Sequence, residues 1–387
     1  MADITITFTG DIGFDKYMKD KWADEELITP AVLDFVKNTD HLMVNVEGPL
    51  SEGEKQIKEG AVVSLTHSMD PGAVTFLNRI GADIWNICNN HIMDAGPKGL
   101  ADTLLLAGQN HAITVGAGMN IDEARKPVII DAAGGIGIIG VGYQRACRKA
   151  DEETPGCFSW SDMEGIKAAI EDIKNRCRWC IVSAHGGEEF TALPMPYTRE
   201  RYLEYLNLGA DIVVGHHPHV PMNYETVGNK MIFYSLGNFV FDTDYQRSQF
   251  NTEYGIIVKL RFTAEEFAFE PMGIKINREL ERVEECELPD IFTDVPPKEY
   301  EKLKALAARM FIENTKRQLK YLKPDKFKDA TEDEFVEDFY IPLRSGRVPG
   351  EVLDMQIVYP LSLEWEKGDW KESGLEKVKE FMLKQIP

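Results

Sequence analysis

The chain has 387 residues, of which 43% are hydrophobic and 28% are charged, so it is long enough for one large domain with an appendage. Its formal net charge of −21 argues against nucleic acid and anionic membranes as partners, because both are bound through Lys and Arg. No apolar run approaches the roughly 18 residues of a membrane-spanning helix, and the first residues lack the basic and apolar regions of a signal peptide, so we expect a cytoplasmic protein.

Strands and helices are predicted to alternate over the first part of the chain. Apolar periodicity and turn residues predict strands at residues 5–8, 41–46, 83–88, 112–115, 127–131 and 137–142, and helices near residues 30–38, 70–80 and 97–109. The first strand is expected to end at Gly10-Asp11 and the second at Glu47-Gly48. This alternation is typical of βαβ units and predicts an α/β fold.

The alternation continues and then gives way to consecutive strands. Helices are predicted near residues 161–175 and 198–208, and strands at residues 180–184, 211–214, 231–234, 255–262 and 268–276. We therefore expect a core of two sheets with helices on its outer faces.

The last hundred residues differ in composition from the rest. They are charged, and helices are predicted at residues 299–316, 332–340 and 371–384. We therefore predict a main domain at residues 1–288 and a helical C-terminal extension at residues 289–387 that packs on it.

Potential metal ligands follow several of the predicted strands. In open α/β sheets, sites form beyond the carboxyl ends of the strands, so side chains at these positions are expected to converge. The residues concerned are Asp11, Glu47, Asn90, His91, His185, His217 and His219.

Most of these residues have an alternative role when they are considered singly. Asp11 suits a turn, Asn90 suits a turn closed by its own side chain, and His185 suits a core histidine with satisfied hydrogen bonds. The segment 216–219 is different, because it holds three of the eight histidines in the chain. Together with Glu47, a carboxylate that ends a buried strand and needs a partner, this cluster favours a metal site.

The types of side chain indicate which ions would bind. Neutral imidazole and carboxylate oxygen suit Mn, Fe or Zn, so we expect one or two divalent metal ions. Two ions would polarise a phosphoryl or acyl centre and generate a hydroxide nucleophile near neutral pH. His91, beside the predicted ligand Asn90, is a candidate general acid.

The candidate residues lie in a series of motifs whose order is as informative as their content. The motifs are Gly10-Asp11, Asn45-Val46-Glu47-Gly48, Asn89-Asn90-His91 with Asp94 and Gly96, His185-Gly186-Gly187-Glu188, Gly209-Ala210-Asp211, Gly215-His216-His217-Pro218-His219-Val220 and Ser235-Leu236-Gly237-Asn238-Phe239. This order resembles the CapA-type capsule-biosynthesis proteins, which are associated with poly-γ-glutamate synthesis and fall within the calcineurin-like metallophosphatase superfamily. The resemblance covers about residues 3–262.

The resemblance implies a four-layer α/β/β/α sandwich of metallophosphatase type with a metal centre between the strand ends. It implies that His91 is the catalytic histidine and that Asp94 and Asn45 orient the neighbouring side chains. The metal ligands that it implies are Asp11, Glu47, Asn90, His185, His217 and His219. Family members are often anchored to a membrane by an N-terminal segment, which we do not expect in this protein.

The sequence departs from the general metallophosphatase pattern at two positions. The first motif of that superfamily is Asp-x-His, but Asp11-Ile12 is followed here by Gly13. Glu47 also stands where the superfamily has a bridging aspartate. Both changes alter the metal centre and bear on which reaction it supports.

Few residues point to a substrate. Arg145 and Arg148, with Lys149, form the clearest local basic cluster, which would suit an anionic small molecule or polymer or would equally suit a solvated loop. Asn238 is a further candidate for substrate binding.

Three functions are therefore compared. The first is a metal-dependent hydrolase that acts on a phosphoester; the second is a metal enzyme that acts on γ-glutamyl amide bonds; the third is a non-catalytic component of capsule assembly. The oligomeric state is left open by the sequence.

Overall fold

The computed structural model describes residues 3–53, 65–143 and 147–331 of the chain. Its core consists of two β-sheets. The larger sheet contains β1 (Ile4–Gly13), β2 (His41–Val46), β3 (Ile84–Asn86), β4 (Ile113–Val115), β13 (Asn238–Phe241), β14 (Tyr254–Phe262), β15 (Phe267–Asn277) and β16 (Arg282–Cys286). The smaller sheet contains β6 (Val128–Ile130), β7 (Ile136–Gly142), β9 (Trp179–His185), β10 (Ile212–His216), β11 (Tyr224–Val227) and β12 (Lys230–Phe233). A short separate pair is formed by β5 (Ala117–Gly118) and β8 (Gly156–Cys157).

The helices lie between and around these strands in chain order. They are α1 (Pro30–Lys37), α2 (Val74–Ile80), α3 (Gly96–Gln109), α4 (Ile121–Ala124), α5 (Met163–Arg176), α6 (Pro196–Leu208), α7 (Asp244–Arg247), α8 (Pro297–Leu322) and α9 (Pro324–Phe327), with 3-10 helices at Lys16–Met18, Lys21–Ala23 and Pro71–Ala73. Asp70 caps the turn that leads into α2, because its Oδ1 accepts a hydrogen bond of 2.7 Å from the N–H of Gly72.

Strand order places the carboxyl ends of the parallel strands together. In the larger sheet the order is β16-β15-β14-β1-β2-β3-β4, with β13 also paired to β1, and strands β1 to β4 run parallel. In the smaller sheet the order is β11-β12-β10-β9-β7-β6, and strands β7, β9, β10 and β12 run parallel. The loops that follow these strands therefore meet at one end of each sheet.

The two sheets face each other across an apolar layer. Phe8 and Met43 of the larger sheet belong to the same buried cluster as Ile181 and Val214 of the smaller sheet. Complete burial of one such side chain is worth about 1.5–3 kcal/mol, so this layer is a principal source of stability.

The outer face of each sheet is covered by helices. Val36 of α1, Phe76 of α2 and Leu100 of α3 pack on the larger sheet. Ile170 of α5 and Tyr205 of α6 pack on the smaller sheet. The predicted four-layer α/β/β/α sandwich is therefore confirmed.

Strand β1 is longer than the sequence suggests. It continues to Gly13, so Asp11 lies within the strand and not in a turn after it. The extension depends on Gly10, because a Cβ at this position would lie 2.1 Å from the carbonyl oxygen of Gly237. The close approach lets β13 pair with the end of β1, with a register shift between Asp11 and Ile12.

The C-terminal part of the described chain is helical. Helix α8 (Pro297–Leu322) contains the predicted helix at 299–316, while the helices predicted at 332–340 and 371–384 lie outside the described residues. Its residues Leu303 and Leu306 share a buried cluster with Leu193 of the main domain. The boundary placed at residue 289 stays a prediction. No helix within the described ranges has the length and apolar character needed to cross a bilayer.

Candidate metal centre

Polar side chains from both sheets meet where the parallel strands end. Asp11 lies on β1, Asn45 is the last residue but one of β2, and Glu47 follows that strand; His185 ends β9, and His217 and His219 form the turn after β10. Asp11, Glu47 and His185 are fully buried, and His217 and His219 are 6% and 2% exposed. The candidates from distant parts of the sequence are thus brought together in the interior.

Several combinations of these side chains are compact enough to hold an ion. Among the described residues, the ligand atoms of each of the following groups lie within 4.8 Å of one another: Glu47 with His185 and His217, Asp11 with Glu47 and His219, and Glu189 with His217 and His219. Glu189 was not predicted as a ligand. Clustered imidazoles and carboxylates of this kind are compatible with a divalent metal ion.

The turn that carries the two histidines has an uncommon backbone. His217 has φ of 96° and His219 has φ of 59°, a region that side-chain-bearing residues rarely adopt and that costs about 1–3 kcal/mol each. Two contacts hold the turn: the Pro218 carbonyl accepts a 2.8 Å hydrogen bond from Phe190 N–H, and Asn238 Oδ1 lies 3.0 Å from His219 Nδ1. The fold therefore holds the imidazole rings of His217 and His219 in fixed positions.

A row of buried amides orients Asp11. Asn86 Nδ2 donates to Asn45 Oδ1 at 2.9 Å, and Asn45 Nδ2 donates to Asp11 Oδ1 at 2.8 Å. Asn45 Nδ2 also lies 3.3 Å from His185 Nδ1. Asn45 thus contacts a candidate ligand from each sheet, and its role in orienting them stays a prediction.

Buried polar atoms at the centre lack hydrogen-bond partners within the part of the chain that the structure describes. They are Asp11 Oδ2, Glu47 Oε1, Glu47 Oε2, His216 Nδ1 and His217 Nδ1. Three of them have a charged or imidazole group nearby without a hydrogen bond: Asp11 Oδ2 lies 3.1 Å from His219 Nδ1, Glu47 Oε1 lies 3.5 Å from His219 Nε2, and His216 Nδ1 lies 3.4 Å from Asp11 Oδ1. Leaving such atoms buried and unpaired is costly, and most buried polar atoms in proteins are paired. A divalent cation would satisfy carboxylate oxygens and an imidazole nitrogen at once, so the donor set fits a metal.

The two buried carboxylates have opposite pKa shifts. Burial and the nearby charge of Asp11 raise the pKa of Glu47 well above its usual value. Burial also acts to raise the pKa of Asp11, but its contacts with His216 and His219 lower it well below the usual value. The pair therefore resists carrying two negative charges without a positive charge beside it.

The pKa values of the three histidines among the candidate ligands are also shifted in opposite directions. Burial lowers the pKa of His217 to about 4 and lowers that of His185 well below its usual value. Burial acts in the same direction on His219, but the charges of Glu47 and Asp11 raise its pKa to about 10. His185 and His217 are therefore neutral at pH 7, the form in which imidazole binds a metal.

His91 and Asp94 form a hydrogen-bonded pair beside the centre. His91 Nδ1 lies 2.7 Å from Asp94 Oδ2, and His91 Nε2 lies 3.0 Å from Asn90 Nδ2. Asn90 Oδ1 in turn lies 2.7 Å from His185 Nε2. Asp94 therefore orients the His91 ring through Nδ1. The other ring nitrogen of His91, Nε2, lies on the side of the candidate ligands.

A second histidine lies against His91 and was missed by the sequence analysis. The ring of His67 meets that of His91 edge to face, with centroids 4.2 Å apart, and its Nδ1 lies 2.9 Å from Asp15 Oδ2. The backbone N–H of His67 donates to Asp94 Oδ2 at 2.8 Å. Since His67 follows no predicted strand, no signal in the sequence linked it to the site. For Glu189 the signal was its position directly after Glu188 in the histidine-containing motif.

The predicted substrate residues have different environments. Arg145 lies outside the described residues, and Arg148 is exposed. Asn238 is buried, where its amide contacts His219, Gln246 and the carbonyl of Thr252. These contacts position His219, and binding of substrate by any of the three residues stays a prediction.

Comparison with known proteins supports the motif analysis. The family model described as "Bacterial capsule synthesis protein PGA_cap" matches residues 5–243. The capsule biosynthesis protein CapA of Bacillus anthracis is 30% identical over 254 residues, which cover 64% of this chain and 62% of that protein. The PGA biosynthesis protein CapA of Bacillus subtilis (strain 168) is 30% identical over 253 residues, which cover 64% of this chain and 65% of that protein.

The chain thus spans less than two thirds of the length of these two relatives. Among solved structures, a purple acid phosphatase from yellow lupin (Lupinus luteus) seeds is 12% identical, with a TM-score of 0.32, and the match covers 76% of this chain and 54% of that one.

Proposed function

We propose that this chain, which belongs to the bacterial capsule synthesis protein family, is a metal-dependent hydrolase that acts on a phosphoester. The names of its relatives, a capsule biosynthesis protein and a PGA biosynthesis protein, support a role in making capsular poly-γ-glutamate. The substrate is an anionic small molecule or an anionic polymer. Because the protein itself carries a net charge of −21, attraction of that substrate depends on cations at the site.

One observation carries the proposal: the buried set of Asp11, Glu47, His185, His217 and His219, with its unpaired oxygen and nitrogen atoms. These side chains, with Asn90, would hold one or two ions of Mn, Fe or Zn. A bound divalent cation would supply Lewis acidity toward a phosphoryl oxygen and would lower the pKa of a bound water.

The side chains next to the centre have separate tasks in hydrolysis. Water adds to phosphorus, the bond from phosphorus to the ester oxygen breaks, and that oxygen requires a proton. His91 donates this proton from Nε2 once the Asn90 amide nitrogen, 3.0 Å away in this structure, has moved off that atom. Asp94, 2.7 Å from Nδ1, keeps the ring in place and stabilises the charge of its protonated form. The product alcohol leaves neutral, and His91 regains a proton from solvent.

A panel of phosphoesters tests the proposal. Protein stripped of metal by chelation is reloaded with Mn²⁺, Fe²⁺ or Zn²⁺ and assayed against phosphomonoesters and phosphodiesters. We expect metal-dependent turnover, and His91→Ala should lower kcat by about 10²–10⁴-fold with the metal content unchanged. His111→Ala, at an exposed histidine, is the matched control. Absence of turnover with every metal would contradict the proposal.

Cleavage or transfer of γ-glutamyl amide bonds is the second candidate. The observation that favours it is the altered first motif, with Gly13 in place of histidine and Glu47 in place of aspartate, which separates this centre from the general phosphatase pattern. Incubation of the metal-loaded protein with poly-γ-glutamate should then change the polymer's chain length. An unchanged length distribution argues against this candidate.

A non-catalytic role in capsule assembly predicts a third outcome. His217→Ala combined with His219→Ala would then remove bound metal while the contribution to capsule formation survives. Loss of both together argues for a reaction at the metal centre.

A further inference from the structure

The side chain missing from the first motif cannot be restored at its own position. A Cβ at Gly13 would lie 2.4 Å from Cδ2 and 2.5 Å from Cε2 of Phe241. The Phe241 ring is buried and packs against His219, with centroids 5.1 Å apart. Phe241 therefore occupies the space that an imidazole at residue 13 would need.

A different carboxylate approaches the same histidines from the loop after β9. One ligand atom each of Glu189, His217 and His219 lies within 4.8 Å of the others. Glu189 Oε2 also accepts a hydrogen bond of 3.0 Å from the hydroxyl of Tyr245, which directs the carboxylate. His217 is 6% exposed, and its Nδ1 has no hydrogen-bond partner among the described residues.

The loop that carries Glu189 is hydrogen-bonded to, and packs against, the turn that carries His217 and His219. Phe190 adopts a left-handed backbone with φ of 63°, donates its N–H to the Pro218 carbonyl at 2.8 Å, and stacks on His219 with centroids 6.0 Å apart. Its own carbonyl accepts a hydrogen bond from the side-chain amide of Asn314 in α8. The Glu189 carboxylate and both imidazoles are thus held in one rigid unit.

We propose that Glu189, with His217 and His219, binds a second divalent cation and so replaces the imidazole that is absent at residue 13. Glu47 is common to the other two compact groups, which contain Asp11 and His185, and these three side chains with Asn90 are left to bind the first cation. This inference rests on the metal centre of the proposed function and adds to it a count of two ions. A mixed set of carboxylate and imidazole suits Mn²⁺, Fe²⁺ and Zn²⁺ alike.

The test counts ions and needs no turnover. Full-length protein is dialysed against Mn²⁺, the metal bound per chain is measured by mass spectrometry, and the affinities are measured by calorimetry. We expect two Mn²⁺ per chain in the native protein, with magnetic coupling between them in electron paramagnetic resonance spectra. Glu189→Gln should keep one Mn²⁺ at its native affinity, weaken the other by at least about 10-fold, and abolish the coupling.

The adjacent carboxylate supplies the control. Glu188 is buried and its carboxylate contacts Thr198 Oγ1 and Met195 N–H, so Glu188→Gln makes the same chemical change one residue away without touching the histidines. It should retain two coupled Mn²⁺ ions. Circular dichroism confirms that both variants are folded, and Glu189→Asp should recover part of the lost affinity.

Three results would overturn the inference: one Mn²⁺ in the native protein, two coupled Mn²⁺ ions in Glu189→Gln, or loss of both ions in that variant. These results are distinct from failure of the hydrolase proposal. If Glu189→Gln loses one ion while the native protein hydrolyses no phosphoester, the second cation position stands and the phosphoesterase does not.

Discussion

At the scale of single residues, the amide of Asn45 links the two halves of the metal centre. Its Nδ2 donates to Asp11 Oδ1 at 2.8 Å and lies 3.3 Å from His185 Nδ1, so it contacts candidate ligands from both sheets. Groups that orient metal ligands contribute to affinity although they never touch the ion. Asn45 should therefore affect binding without being a ligand.

Replacement of this amide provides a direct test. Asn45→Ala removes the donor to Asp11 and leaves a buried carboxylate oxygen without its partner, so the affinity for Mn²⁺ should fall by about 10–100-fold. The free energy of unfolding should fall by about 1–3 kcal/mol, the cost of an unpaired buried polar group. Asn78→Ala, which breaks an exposed amide contact with Asn110, should change neither quantity. Calorimetry that shows native affinity in Asn45→Ala would contradict the orienting role.

Which residues reach the centre was predictable only in part. Asp11, Glu47 and His185 were found because polar side chains at strand ends of a parallel sheet converge. Glu189 lies four residues beyond the end of β9, where position along the loop depends on the contacts of Phe190 and not on strand geometry. His67 reaches His91 through tertiary packing alone, so the sequence contained no local pattern that would reveal it.

At the scale of elements, the end of β1 decides how the first motif is built. Alternating apolar residues predicted only the first half of this strand, because Gly10 and Asp11 are typical of a turn. Pairing with β13 extends the strand to Gly13 and brings Phe241 over its last residue. Strand β13 itself was not predicted, since four residues that begin with Asn238 carry little periodicity.

This packing predicts that Gly13 is required for space. Gly13→Ala should lower the free energy of unfolding by about 1–3 kcal/mol, because the new Cβ would meet the Phe241 ring at 2.4 Å and force it to move. Gly108→Ala in α3 is the matched control, since nothing lies within 4 Å of its added Cβ, and it should raise stability by about 0.5–1 kcal/mol. Urea unfolding measures both. An unchanged midpoint in Gly13→Ala would show that Phe241 does not fill this space.

Helix α8 packs against the loop that carries Glu189. Leu306 is buried with Leu193 in the cluster that joins the helix to the loop of Glu189. Leu306→Ala should cost about 2–5 kcal/mol of stability, and by loosening that loop it should also weaken the second Mn²⁺. Leu77→Ala, in the helix layer on the other sheet, should cost a similar amount without changing Mn²⁺ binding. Equal effects of the two variants on metal affinity would argue against a bracing role for α8.

At the scale of the whole molecule, the two-sheet sandwich followed from the order of strands and helices, because alternating βαβ units leave few alternatives. The distribution of charge was less informative. A net charge of −21 argues against nucleic acid and anionic membranes as partners, but it does not show that two carboxylates lie buried together at the centre. That arrangement depends on which strand ends face each other, and a linear sequence does not give this directly.

Removal of metal should therefore destabilise the entire fold. Asp11 and Glu47 are fully buried, and burial together with the charge of Asp11 disfavours the ionised form of Glu47 unless a cation is present. A ligand that binds only the native state at 100 times its Kd adds about 2.7 kcal/mol to the free energy of unfolding. Chelation of the native protein should lower its unfolding midpoint in urea accordingly, and added Mn²⁺ should restore it. His217→Ala combined with His219→Ala should respond far less to chelator, because it lacks two of the seven proposed side-chain ligands that hold the ions in place. An identical midpoint of the native protein with and without chelator would mean that no ion offsets the charge of these carboxylates. That result would contradict the proposal of a metal centre.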